Sequence, residues 1–121
     1  MILLATIVTL TVFSQQKNWK EMHDFHAVMS MTYHPTEEGD FKPLKENAGE
    51  LVVKAKAWQA SAVPQGYNAA VAKPILKNLV GQCEKLEKLV KAGTTDADLK
   101  KEITTAHEIF HELMEKCKEK K

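Results

Sequence analysis

Apolar residues recur at three- and four-residue intervals through four separate stretches of this chain. The first runs from Asn18 to Tyr33, with Trp19, Met22, Met29 and Tyr33 on one stripe and His26 completing it. That spacing is the signature of an amphipathic helix. Pro35 is expected to end the helix, because the residue before a proline is pushed out of the helical region. Residues 35–40, Pro-Thr-Glu-Glu-Gly-Asp, carry turn chemistry throughout. A second helix is expected from about Pro43, a residue tolerated in a first helical turn. Its stripe is Leu44, Ala48, Leu51, Ala55 and Trp58, with Gly49 as a weakening interior residue. Residues 60–66 form the next connection.

The third helix is expected to end at about Lys91, with Ala72, Leu76, Leu79, Cys83, Leu86 and Val90 facing inward. Pro74 either opens this helix or kinks its first turns. Gly93 supplies a stop, and Thr94 or Thr95 followed by Asp96 and Asp98 supplies a cap and a favourable first-turn charge. The fourth helix keeps its register best, through Leu99, Ile103, Ala106, Phe110, Leu113 and Cys117, and ends in a charged tail over 116–121. No stretch alternates like a strand. The pattern predicts an all-α chain, an antiparallel up-down-up-down four-helix bundle with short connections.

Residues 2–13 break the pattern, being uncharged and followed at once by polar Ser14-Gln15-Gln16-Lys17. The run is too short for a bilayer span, which needs about 20 apolar residues. It reads as an export signal over residues 1–14, with Val12-Phe13-Ser14 as the cleavage region, although a basic leading segment is missing. The alternative is a first half of helix one. With export, residues 15–121 form the bundle domain, in a periplasm or outside the cell and clear of the membrane once the signal is removed. The 121 residues suit one domain with a real core. Seventeen basic and sixteen acidic residues give a net charge of +1, which offers no electrostatic footprint for nucleic acid.

Two cysteines, Cys83 and Cys117, would allow one bridge in such a compartment. Measured down from the end that holds the Glu37 and Gly93 turns, they lie about 16 and 35 Å deep at 1.5 Å per residue. Bonded cysteines need Cα atoms within about 7 Å. Both therefore read as small buried hydrophobes, with Cys117 the one that could pair with a second copy in a homodimer.

His107 and His111 stand one turn apart on the fourth helix, about 6 Å from each other on one face. By the same rise, His107 falls about 20 Å below the upper end, His23 about 17 Å and His26 about 12 Å. Helix one is the antiparallel neighbour, so these four histidines are expected in one belt. Helix-borne imidazoles at such spacing are how bundles build metal sites, and neutral imidazole suits zinc, copper or nickel. The expectation is a metal-binding protein for buffering, carriage or sensing, most simply of zinc or copper, with His26, His107, His111 and His23 as ligands. Met22 and Cys83 lie near the same depth and would join for copper(I), which prefers soft donors. His34 and Glu38, with Glu37 nearby, form a separate and weaker site. Asp24, Glu108, Glu112 and Glu115 could bind the ion or orient the rings.

The residues 107–111 also spell H-E-x-x-H, the zinc-peptidase motif. That chemistry needs a third ligand, an open position for water and a cleft for an extended substrate. No histidine follows His111, and no edge strand is expected, so the chain reads as a non-enzyme. In size, export and four-helix pattern it looks like the periplasmic b-type and c-prime bundle cytochromes. That likeness implies haem b as an alternative cofactor, with Met22 and His107 or His111 as the axial pair. There is no C-x-x-C-H for covalent attachment. Phe25-His26-Ala27-Val28-Met29, His34-Pro35-Thr36-Glu37-Glu38-Gly39 and His107-Glu108-Ile109-Phe110-His111 resemble a group of small exported bacterial bundle proteins. The resemblance implies fold and location rather than an activity. A third reading is a metal-free structural or partner-binding module, with Met22, Met29, Met31 and Met114 as an adaptable surface.

Overall fold

The computed structural model describes residues 19–118, so the expected export signal over residues 1–14 lies outside the described residues. Four helices follow in order: α1 (Lys20–Glu37), α2 (Lys42–Ala60), α3 (Ala69–Ala92) and α4 (Asp96–Lys116). Each packs on its neighbour in sequence, and α4 returns to touch α1 more sparingly, which closes an all-α four-helix bundle. Among the described residues, no helix is long and apolar enough to cross a membrane.

Most of the stripes read from the sequence are buried, but His26 of the first is exposed, and Tyr33 and Val90 are only partly buried. Leu44, Ala48, Leu51, Ala55 and Trp58 of α2 are buried, as are Ala72, Leu76, Leu79, Cys83 and Leu86 of α3. The α4 stripe, Leu99 to Cys117, is buried throughout, and both cysteines are free. Burying such stripes on all four helices is the main force that holds the bundle together.

One proline expectation needs correction and another is narrowed. Helix α1 does not stop before Pro35 but runs through it to Glu37. In the last turn, a proline forfeits one backbone bond, to the carbonyl four residues earlier. Buried Thr36 and a Schellman turn hold the extra residues: Gly39 N–H donates to Thr36 O and Asp40 N–H to Pro35 O, with Gly39 at φ 87°. Pro74 does not open α3, which begins at Ala69 behind an Asn68 cap whose Oδ1 accepts from Ala70 N–H at 3.0 Å. The carbonyl that Pro74 leaves unpaired belongs to exposed Ala70, where water can satisfy it. Helix α3 ends in the same way as α1, with Gly93 at φ 73° and Thr94 N–H donating to Leu89 O, and Thr95 then caps α4.

The floor of the bundle is built from the α2–α3 connection. Asn68 N–H donates to Cys117 O at 2.6 Å, and Tyr67 pairs with Lys118 in an isolated bridge. Trp19 Nε1 donates to Ser61 Oγ at 2.9 Å, and the Trp19 ring meets Tyr67 edge-on at 4.9 Å. Above the floor, Phe25, Trp58 and Phe110 pack with ring centroids 5.6–5.9 Å apart. The starts of α1 and the end of α4 are therefore level at this floor.

Candidate metal centre

From that common floor, His26 and Phe110 each lie seven residues up, about 10 Å at the helical rise. They meet there, ring on ring, with centroids 5.1 Å apart and planes 26° apart. The same count puts His107 ten residues up, level with Met29 and one turn below Tyr33. Its ring stacks on Tyr33 at 3.9 Å and 7°. Tyr33 leans toward the start of α1 and His107 toward the start of α4, so the two side chains reach across the seam toward each other.

The four histidines of the expected belt, His23, His26, His107 and His111, do not all meet ring to ring: His26 stacks on Phe110, which lies between His107 and His111 in the chain, while His107 stacks on Tyr33. Depths counted from the upper end assumed that α1 and α4 reach equally far there, whereas the helices are level at the floor. His107 meets Tyr33 and His34 instead of His23. The exposed His23 flanks Asp24, which is paired with Lys20 at 2.8 Å. His26 is exposed and held against Phe110. His34, expected in a separate site, has its centroid 6.5 Å from that of His107. Its carboxylate partner is Glu37 at 3.3 Å, while Glu38 is exposed at the helix cap. Met22 lies in the core, as does Cys83 on α3, whose thiol is pushed up to about 12 by burial.

At the centre of the arrangement, His107 Nε2 and His111 Nε2 are 3.2 Å apart, with rings at 78°. With both rings neutral, one nitrogen carries the proton and the other accepts it. An ion 2.0–2.1 Å from each nitrogen, the usual zinc–imidazole distance, would see them at an angle of about 100°. That is close to tetrahedral. Half-buried His107 has its pKa lowered, first by burial and then by His111 and His34, so the neutral form that binds metal is favoured. Glu37 is held below the usual carboxylate range first by the hydrogen bond from His34 and then by the nearby Tyr33 hydroxyl. The Tyr33 phenol is raised by burial and by Glu37.

Among the described residues, no three His, Cys, Asp or Glu side chains already stand as a group able to hold a metal ion. The pair is preformed, and further ligands would have to turn toward it. Two participants, Tyr33 and Glu37, were not assigned to this site from the sequence. The signal was present in their spacing: Glu37 follows Tyr33 by four residues and His34 by three, the two offsets that share a helix face. No protein-family model, no curated protein and no solved structure matches the chain.

Proposed function

We propose that this chain is an exported helical bundle that binds one divalent transition-metal ion, zinc(II) or copper(II), between His107 and His111 for buffering or carriage. The observation that carries the reading is the 3.2 Å separation of the two Nε2 atoms, which matches one edge of a coordination tetrahedron. The lowered pKa of His107 supports it, since a ring that resists protonation remains a ligand in mild acid. An ion is preferred here to haem held by Met22 with His107 or His111, because two nitrogens 3.2 Å apart serve one ion directly. No catalytic step belongs to this reading, and Glu108 is an exposed neighbour of the pair.

The test is zinc(II) and copper(II) titration of the purified protein by calorimetry, with elemental analysis and an absorption spectrum of the protein as isolated. One equivalent of ion should bind, and His107→Ala and His111→Ala should each remove it. Uptake unchanged in both variants, or a Soret band in the isolated protein, would overturn the reading.

A further inference from the structure

The seam between α1 and α4 is the least packed of the four helix–helix seams among the described residues, and the histidine pair stands on it. On the α1 side of the seam, His34 Nδ1 lies 3.3 Å from Glu37 Oε1. An ionised carboxylate only accepts hydrogen bonds, so Nδ1 carries a proton, and in the neutral ring Nε2 has the free lone pair. That is the arrangement in which metal-binding histidines are usually held, one nitrogen donating to a carboxylate and the other facing the ion. The neighbouring Tyr33 ring lies flat on His107. Adjacent residues of α1, His34 with its carboxylate and Tyr33 with its stack, thus stand beside the pair on α4.

We infer that His34 is the third ligand of the ion, oriented by Glu37, so that the bound metal pins α1 to α4. This rests on the reading of His107 and His111 as a metal pair. Two imidazoles on one tetrahedral ion have ring centroids about 5 Å apart, given metal–nitrogen distances of 2.0–2.1 Å. His34 is 6.5 Å from His107, and its side chain is 63% exposed, so it has room to turn toward the pair. The resulting donor set is three imidazoles with a fourth position left for water. The sulfur donors Met22 and Cys83 lie in the core, so the site suits borderline divalent ions such as zinc(II), copper(II) and nickel(II) rather than copper(I).

The experiment is titration with zinc(II) alone, followed by amide hydrogen exchange across the last turns of α1, in wild type, His34→Ala, Glu37→Gln and His107→Ala. All these residues are exposed or half-buried, so the fold should survive each change. Loss of His34 should weaken zinc at least about tenfold and abolish zinc-induced protection of α1, and Glu37→Gln should weaken it about tenfold. If wild type binds zinc, His107→Ala abolishes binding and His34→Ala binds like wild type, this inference falls while the paired-histidine reading stands. If wild type binds no zinc, this inference falls, and the paired-histidine reading falls with it when copper(II) does not bind either.

Discussion

Adding one methyl group at two places on α3 should move stability in opposite directions. Gly81 lies in the middle of the helix, exposed, and a Cβ built there meets nothing within 4 Å. Gly81→Ala therefore changes only backbone freedom and helix propensity, worth about 0.8–1.0 kcal/mol in favour of alanine. Gly93 ends the same helix at φ 73° and ψ 34°. There a Cβ crowds the following carbonyl, and Gly93→Ala should cost about 1–2 kcal/mol. Urea denaturation reads both. With a slope of about 1–3 kcal/mol per molar for a small protein, the Gly81→Ala midpoint should rise by roughly 0.3–1 M at unchanged slope. Gly93→Ala should lower it. By heat, Gly81→Ala should gain about 4–8 °C for a domain near 100 residues. A Gly81→Ala that is neutral or destabilising would refute an uninterrupted α3 at that point, and two shifts of the same sign would refute the turn.

Phe110→Ala should cost about 3–5 kcal/mol by urea denaturation, because the ring is buried among Phe25 and Trp58 and truncation leaves a cavity; a loss below about 1 kcal/mol would mean that α4 is not seated in this register. In Tyr33→Ala, uncovering His107 should return its pKa upward toward the ordinary 6.5, since burial is the main cause of its depression. An NMR titration that finds no change would remove Tyr33 as the cover. Glu102 is held below its usual 4.5 first by the Gln82 side chain, whose Nε2 donates to Oε1 at 2.8 Å, and then by Lys85. Because the folded pKa is the lower one, that stabilisation is present above 4.5 and disappears as pH falls through the folded value. Gln82→Ala should therefore flatten the acid limb of the stability–pH curve, and an unchanged limb would show that Gln82 is not the cause.

The four helices were legible because an apolar stripe is a local property: Leu99 through Cys117 needs only the 3.6-residue period to be recognised. The Thr95 cap and the Gly93 stop were legible for the same reason. The absence of a Cys83–Cys117 bridge followed from length alone. Pro35 misled because local rules forbid a helix before proline, while buried Thr36 and the Gly39 turn favour continuing it. The histidine site was legible in residue type but not in register. Which residue of α1 faces His107 depends on where two helices separated by the rest of the chain are pinned together. That pin is the Asn68–Cys117 bond and the Trp19–Ser61 bond, neither of which any periodicity announces. Tyr33 read as one more stripe residue, and only the stacking on His107 gives it a second role.

The floor contacts give the molecule two unlike poles. Trp19 and Lys118, the first and last described residues, both engage Tyr67, so the chain enters and leaves the bundle at the same pole. His34 and Glu37 lie toward the other, with His107 near mid-height and His111 closer to the floor. Residues 19 and 118 therefore both stand at the pole opposite His34 and Glu37. A permuted chain that joined 118 to 19 through a short linker would keep the four-helix path, with new ends placed in the 93–95 turn.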